Sequence, residues 1–153
     1  DGVQCRVLAG NMFNQEGPFR TKQQVQMVDF EIAESGVEVE FDIGENLDTA
    51  MLYLYDGEGL DKVNDREEKV PSQSVIAFDA SNTKHRGIKL RTAGKTSLML
   101  FAGKKIKEPV AWHGPIVMNT QDEIYDTIRD LRSGKFPPVR VDWDYKSLAG
   151  KGN

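Results

Sequence analysis

Strict alternation of apolar and polar residues is the feature that most constrains the fold of this chain. Residues 36–43 read GVEVEFDI, with an apolar side chain at every second position and acids between them. Successive side chains of a β-strand point to opposite faces, so this pattern predicts a strand with one buried and one solvent-facing side. Val28, Phe30 and Ile32 alternate in the same way just before it.

Several other segments show strand patterns separated by turn residues. Residues 51–55 form a continuous apolar run, MLYLY, which predicts a central strand followed by a tight turn at DGEG, residues 56–59. Further short strands are predicted at residues 4–8, 74–78, 88–91 and 97–101. Many short strands with glycine-rich turns, and no long helix before residue 120, favour a β-sandwich or barrel.

One helix is predicted near the end of the chain. Residues 120–123, TQDE, form a capping box, in which the threonine hydroxyl accepts from the amide of Glu123 and the glutamate carboxylate reaches back to Thr120. The apolar positions Ile124, Ile128 and Leu131 then recur on one helical face. Gly134 and the following Pro137-Pro138 predict where this helix stops.

Composition excludes several functional classes. The chain has 153 residues, a net charge of −4 and no cluster of basic residues large enough for binding along a phosphate backbone, so we expect no direct nucleic-acid binding. No apolar run reaches the roughly 20 residues that a membrane helix needs, and we expect no membrane partner. The single cysteine, Cys5, fits a reducing compartment and an intracellular protein. Because the chain begins with Asp1, we expect a segment of a longer protein.

The sequence offers little support for catalysis. It lacks the G-x-S-x-G, P-loop and G-x-G-x-x-G motifs, and it has only two histidines, His85 and His113. Nucleophilic sites need a positioned base, and transition-metal sites need three or four converging ligands. His85 is interpreted as part of an exposed turn and His113 as a docking-surface imidazole. We therefore predict no catalytic residue and no metal ligand in this chain.

A small-molecule-binding barrel remains an alternative on residue type. Small barrels can enclose one ligand, and aromatic side chains are the usual lining. The candidate lining residues are Tyr53, Tyr55, Met99 and Trp112, although the side-chain type of each favours a place in the core over a place in the lining.

One segment resembles a known family. Residues 102–124, AGKKIKEPVAWHGPIVMNTQDEI, resemble the pirin family in their Ala-Gly, Glu-Pro-Val, Gly-Pro and Val-Met-Asn-Thr elements and in their acidic helix start. Residues 7–10, VLAG, look like the first strand of that family's second domain. The tail from Trp143 through Lys146 and Ser147 to the end of the chain is similar to eukaryotic pirins. The resemblance is to the C-terminal domain of these two-domain proteins.

The resemblance implies a mostly β fold: a cupin barrel (double-stranded β-helix, jelly-roll-like) with one C-terminal α-helix and an extended tail. The expected organisation is a degenerate cupin barrel over residues 1–119, the helix over 120–134 and a C-terminal arm over 135–153, together forming one structural domain. Pirins are bicupins that carry iron in the N-terminal domain. The resemblance therefore implies no cofactor in this segment and iron in an N-terminal cupin domain of the same chain.

The resemblance also implies a function for the full-length protein. It predicts a metal-free module that supports and docks on the iron-binding domain of an iron-dependent transcriptional coregulator, in the nucleus or cytoplasm, with transcription-factor proteins as candidate partners. The alternative is a full-length quercetin 2,3-dioxygenase in which this domain lines the active-site entrance. Enzyme activity of the full-length protein stays open, whereas this segment alone is predicted to be inert.

The cupin metal motifs can be laid directly on this sequence. When the first motif is anchored on Gly57, Ala50 stands at its glutamate position; when it is anchored on Gly59, Leu52 stands there. Residues 44–48 then stand at its histidine positions. The second motif has Lys84 at its ligand position, with His85 one position away. Alanine and leucine cannot coordinate a metal, and an ammonium opposes one. The expected sites are instead docking residues for the other domain: Trp112, His113, Gly114, Pro115, Met118, Asn119, Thr120 and Trp143.

Overall fold

The computed structural model describes residues 2–79 and 86–136, and these residues are mostly β-strand. In chain order the strands are β1 Val3–Ala9, β2 Asn11–Met12, β3 Gln15–Glu16, β4 Val25–Ile32, β5 Glu38–Asp42, β6 Thr49–Gly57, β7 Leu60–Val63, β8 Ser74–Asp79, β9 Gly87–Thr92, β10 Thr96–Gly103, β11 Ala111–His113 and β12 Ile116–Met118, followed by the helix α1 Gln121–Arg132. Every strand that the sequence predicted is present. Contacts group the chain into two compact units, Asp1–Lys105 and Ile106–Asn153.

Two antiparallel sheets make up most of the first unit. The larger has the order β1-β4-β10-β6-β8 and the smaller the order β5-β9-β7. Strands distant in sequence, such as β4 and β10, are therefore neighbours, as in jelly-roll folds. The predicted mostly β, jelly-roll-like architecture is present, with one difference in detail. Over the described residues both sheets stay open, and the strands do not close into one hydrogen-bonded barrel.

The core lies between the inner faces of these two sheets. Alternate residues of the strands supply it, which is the physical reason for the period-two pattern in the sequence. Phe30 of the large sheet stacks on Phe41 of the small sheet, with 5.0 Å between ring centroids. Burying each large apolar side chain contributes roughly 1.5–3 kcal/mol. The buried residues of this core are Met12, Val28, Phe30, Ile32, Val39, Phe41, Ile43, Leu47, Ala50, Leu52, Leu54, Leu60, Ile88, Leu90, Leu98, Leu100 and Ala102.

The apolar run at residues 51–55 is not buried on both sides. β6 lies inside the large sheet, between β10 and β8, yet only Leu52 and Leu54 of this run face the core. Met51, Tyr53 and Tyr55 point to the outer face, where they are 41%, 41% and 37% exposed. The sequence could not distinguish this arrangement, because both faces of the strand carry large apolar side chains.

Two local devices hold the loops of the first unit. Gly57 has φ = +96°, and a Cβ there would come within 2.0 Å of the Lys95 carbonyl oxygen, so the predicted turn after β6 requires glycine. Arg86 donates from Nε to the Ile43 carbonyl (3.2 Å) and from Nη2 to the carbonyls of Gly44 and Leu47. The guanidinium thus satisfies the backbone of the loop between β5 and β6.

Helix α1 begins and ends as predicted. Thr120 is its N-cap, and both hydrogen bonds of the capping box are present. After the last turn, Gly134 adopts φ = +74°, and the amides of Gly134 and Lys135 donate to the carbonyls of Leu131 (3.2 Å) and Asp130 (2.9 Å). This pair of bonds is a Schellman motif. Pro137 and Pro138 lie outside the described residues.

The buried face of α1 is narrower than the sequence predicted. Ile124 is fully buried, but Ile128 is only half-buried and Leu131 is 54% exposed. Thr127 is buried instead, with its hydroxyl bonded to the Glu123 carbonyl. The helix packs on β11 and β12. No helix within the described part of the chain combines the length and apolar character needed to cross a membrane.

Candidate docking surface

The segment that carries the family resemblance folds as a β-hairpin followed by the capped helix. β11 and β12 pair antiparallel, with Trp112 opposite Val117 and His113 opposite Ile116. Gly114 and Pro115 form the two-residue turn, and Gly114 has φ = +55°. A positive φ at the first turn position matches the twist of a hairpin and favours glycine there. No strand was predicted from the sequence between residues 102 and 119, so this hairpin is an addition to the predicted fold.

One face of the hairpin carries exposed apolar side chains. Trp112 is 74% exposed and Val117, directly opposite, is 54% exposed. The indole Nε1 of Trp112 donates to the Gly114 carbonyl at 2.6 Å. This hydrogen bond to the hairpin turn fixes the position of the ring, although most of the ring surface is exposed to solvent. A rigid aromatic side chain held in place before binding is a common anchor of protein interfaces, because little conformational entropy is lost on association.

The opposite face of the hairpin is turned toward the helix. Ala111, Ile116 and Met118 are half-buried there, and α1 contacts both strands. Between the hairpin turn and the helix lies an open cleft of about 620 Å³, lined by His113, Tyr125, Ile128, Arg129, Arg132 and Ser133. Tyr125 is 62% exposed beside this cleft. The second unit thus presents apolar side chains on the outer hairpin face and along the helix.

A hydrogen-bond network joins the hairpin to the helix start. Asn119 donates from Nδ2 to Glu108 Oε2 and to the Pro109 carbonyl, both at 3.0 Å. The Glu123 carboxylate accepts from the Thr120 hydroxyl (2.9 Å) and from the amides of Thr120 (2.8 Å) and Asn119 (3.1 Å). These donors hold the pKa of Glu123 below its ordinary value, the Thr120 hydroxyl first among them. Asn119 and Thr120 therefore have structural roles.

The predicted docking residues fall into two groups. Trp112, His113, Gly114 and Pro115 are exposed around the hairpin turn. Met118 is half-buried, whereas Asn119 and Thr120 are exposed but bonded within their own unit. Trp143 lies outside the described residues, as does His85. Val117 and Tyr125 were not among the predicted docking residues. The signal for Val117 is the pairing of the two hairpin strands, which places it directly opposite Trp112.

Two positions of the cupin metal motif lie in the apolar core of the first unit. Ala50 and Leu52, which stand at the glutamate position under the two anchors, are at most 1% exposed and belong to the apolar core. Over residues 2–79 and 86–136, no three His, Cys, Asp or Glu side chains come together in a group that could hold a metal ion. Lys84 lies outside these ranges. The residues described therefore do not fit the transition-metal site of a cupin.

The outer face of the large sheet carries a second group of exposed apolar residues. Tyr53 pairs with Met99 on one side and with Val75 on the other, and Met51 pairs with Phe101. Tyr53 and Met99, suggested above as lining residues of a cavity, thus lie on this outer face. Trp112 and Tyr55 are likewise exposed. Tyr53, Tyr55 and Met99 point away from the space between the two sheets, so these three side chains do not line a cavity there.

An ionic cluster borders this outer face. Asp29, whose side chain is only 9% exposed, accepts from Arg6 Nη2 (2.8 Å) and from the Tyr55 hydroxyl (2.8 Å). Burial and the bond to Asp29 raise the pKa of Tyr55. Burial, assisted by the charge of Asp29, raises the pKa of the adjacent Cys5 thiol. The cluster is internally satisfied, as a buried carboxylate must be.

A wide opening of about 1180 Å³ lies at one end of the sandwich, with Met12, Gln26, Phe41, Phe78 and Arg86 in its lining. Gln26 donates to the Asn11 carbonyl (2.8 Å) and accepts from the Gly44 amide (3.2 Å). Arg86 is bonded to the loop carbonyls described above. These two polar side chains thus serve the loops around the opening, and a structural role accounts for both.

Comparisons with known proteins agree with this architecture. The family model described as the pirin C-terminal cupin domain matches residues 27–137. Pirin-like protein 2 of Arabidopsis thaliana is 30% identical over 88% of this chain and 42% of its own length. Human pirin is 26% identical over 88% of this chain and 45% of its own length. The chain spans less than half the length of these relatives.

A solved structure has the same fold. The crystal structure of a quercetin 2,3-dioxygenase from Acinetobacter baumannii superimposes with a TM-score of 0.74 at 26% identity. The superposition covers 89% of this chain and 44% of that one.

Proposed function

Because this chain belongs to the pirin C-terminal cupin domain family, we propose that it acts as the metal-free C-terminal cupin domain of a pirin-like protein. In this role it docks on a metal-binding N-terminal cupin domain of the same chain and supports it. The hairpin and helix of the second unit provide the docking surface. Iron is the metal expected in the N-terminal domain.

The observation that carries this proposal is the exposure of Trp112. An indole that is 74% exposed contributes little to the stability of its own domain, yet its ring is fixed by a hydrogen bond across the turn. Val117 extends the same apolar face. Aromatic anchors of this kind supply most of the binding energy at interfaces. A domain that covers this face would remove its apolar surface from water.

The interior supports the metal-free part of the proposal. Ala50 and Leu52 fill positions at which a cupin metal site needs a carboxylate, and neither side chain has a lone pair to donate. Replacing ligands by apolar residues converts a catalytic barrel into a packed core. The first unit then contributes folding stability, and the chemistry is left to the N-terminal domain.

For the whole protein we propose the role of an intracellular, iron-dependent transcriptional coregulator, in the nucleus or cytoplasm. Transcription-factor proteins are its proposed partners. Direct contact with nucleic acid is not part of the proposal, because a chain of net charge −4 repels a phosphate backbone.

A second candidate is favoured by the fold comparison. A solved protein named quercetin 2,3-dioxygenase shares this fold at a TM-score of 0.74. The full-length protein would then oxidise a flavonol-like substrate at the metal of its N-terminal domain, and this domain would line the active-site entrance.

The test measures the full-length protein and this chain side by side after iron loading. We expect about one metal ion per full-length molecule by elemental analysis, and far less than one per molecule of this chain. Stoichiometric metal in the isolated chain would overturn the metal-free assignment. Aerobic quercetin consumption by the full-length protein alone would favour the dioxygenase; no consumption by iron-loaded protein would remove that candidate.

Docking is tested by Val117→Lys in the full-length protein, with Val75→Lys as a matched control of similar exposure in the other unit (54% and 60%). In the docked state a lysine on the hairpin face would lose its contact with water, so the substitution should weaken docking and expose the segment between the domains to protease. We expect faster proteolysis between the domains for Val117→Lys only. Equal proteolysis rates in wild type and Val117→Lys would contradict docking through this face.

A further inference from the structure

The four edges of the two sheets are unequally protected. Exposed edge strands can pair with another chain, and proteins normally block them with charges, bulges or covering segments. β5 presents Glu38, Glu40 and Asp42, which are all exposed. β7 is only four residues long, is bulged between Leu60 and Lys62, and bonds to Val70.

The β1 edge is blocked in a third way. The strand is bulged between Val7 and Ala9, and Phe19 bonds to the Leu8 carbonyl at 3.0 Å. Arg6 adds a charge, and it is engaged by Asp29. Charges, bulges and covering segments thus protect three of the four edges.

At the remaining edge, residues 74–78 of β8 show no charge, no bulge and no covering segment within the part of the chain that the structure describes. Within the residues that the structure describes, it pairs with β6 on one side and with no strand on the other. Its residues 74–78, SVIAF, carry no charge and no proline, and the pairing with β6 is regular over six residues. Such a strand has the composition of an interior strand although it lies at an edge.

Apolar side chains of β8 are also incompletely covered on both faces. Val75, on the outer face, is 60% exposed. Ile76 and Phe78 point inward but are only half-buried. Beside them lies an open groove of about 700 Å³, whose far side includes Val63, Val70 and Pro71. A strand added at this edge would cover apolar surface on both faces and continue the sheet.

We propose that β8 pairs antiparallel with β8 of a second copy of this chain, about a twofold axis at Ile76. This register places Val75 of one copy opposite Ala77 of the other on the outer face. Outer-face residues of one copy then lie opposite outer-face residues of the other, as antiparallel pairing requires of strands whose side chains alternate between two faces. A twofold contact needs a surface complementary to itself.

Charge selects a second copy as the occupant. The charge-free run of residues 74–78 meets itself without like-charge repulsion, and the two Asp79 residues fall at opposite ends of the paired strands. In register, Val75 extends the row of Tyr53 and Met99 on the outer face. Two copies would therefore join their outer faces into one continuous apolar and aromatic surface across a ten-stranded sheet.

The experiment is sedimentation velocity of this chain over roughly 1–200 µM. We expect a reversible monomer–dimer equilibrium, and Val75→Lys should raise the dimer dissociation constant about tenfold or more, since lysine on an edge strand opposes pairing. Val117→Lys, the matched substitution on the hairpin, should leave it unchanged. Circular dichroism checks that the variants fold, and Ala77→Lys provides a second, independent variant.

Hydrogen exchange adds a local readout. In the dimer, amides of β8 should become protected as concentration rises, while those of β5 should not. A monomer at every concentration, or a dimer weakened only by Val117→Lys, would overturn the proposal. Protection of β8 in a monomeric full-length protein would also overturn it, because another segment would then occupy the edge. These outcomes are independent of whether the hairpin docks on an N-terminal domain.

Discussion

The interior of the sandwich and the hairpin of the second unit use apolar residues in opposite ways. In the sandwich, Leu52 and Leu100 are completely buried, and the folding of this chain alone accounts for their position. On the hairpin, Trp112 and Val117 are more than half exposed, although their side chains are just as apolar. The contrast shows that hydrophobicity in this sequence has two causes. One set of residues drives folding, and the other provides the surface for which docking is proposed above.

The largest predicted effect concerns the interior. Leu52→Ala would leave a cavity between the two sheets, and we expect it to lower the free energy of unfolding by about 2–5 kcal/mol. Urea denaturation of the chain measures this loss. Val75→Ala, on the outer face of the neighbouring strand, should change the stability of the monomeric chain by no more than about 0.5 kcal/mol, measured at a protein concentration too low for dimers. Similar losses for the two variants would mean that the two faces of the sheet are not distinct.

The next effect concerns the joint between hairpin and helix. Thr120→Ala removes the N-cap hydroxyl, and we expect a cost of about 1 kcal/mol in the stability of the second unit. Exchange of the Glu123 amide reports this loss locally. Thr120→Ser keeps the hydroxyl and should restore protection of that amide. If the serine variant behaved like the alanine variant, the capping bond would not be the cause.

A pH dependence follows from the same cap. The pKa of Glu123 is lowered in the folded state, so its stabilising contribution is present above its ordinary value of 4.5 and is lost as the pH falls through the lower folded pKa. The difference in melting temperature between wild type and Glu123→Gln should therefore shrink in acid. Asp122→Asn controls for the loss of a negative charge near the helix start. A pH-independent difference would contradict the assignment.

The smallest effect on stability is predicted for the residue that matters most to the proposed function. Trp112→Ala should change the free energy of unfolding of this chain by no more than about 0.5 kcal/mol, because the indole is mostly exposed. In the full-length protein the same change should loosen the domain contact. A large loss of stability in the isolated chain would place Trp112 with the interior residues and remove the contrast between the two regions.

The sequence predicted those elements whose signal is local and periodic. Alternation at residues 36–43 identified β5, and the capping box identified the start of α1. The hairpin of β11 and β12 was missed because three residues per strand are too few to show a period, and Gly-Pro is compatible with either a turn or a connector. β7 was missed because its four residues mix charged and apolar side chains.

Tertiary context determined the rest. The sequence could not show that Tyr53 and Met99 lie on an outer face, since a strand with large apolar residues on both sides gives no information about which side is covered. Leu131 fits the helical period of Ile124 and Ile128, yet it is 54% exposed. Of the proposed docking residues, Trp112 could be named from its type, whereas Val117 required knowledge of its cross-strand partner.

The half-buried thiol in β1 has a practical consequence. Cys5 is the only cysteine of this chain, and its raised pKa keeps the reactive thiolate scarce at neutral pH. It pairs across the strand with Phe30, whose ring stacks on Phe41 in the core. The rate at which a thiol reagent modifies the folded protein should therefore rise when β1 separates from β4. A single natural reporter thus allows the fraying of one edge of the large sheet to be timed without introducing a label.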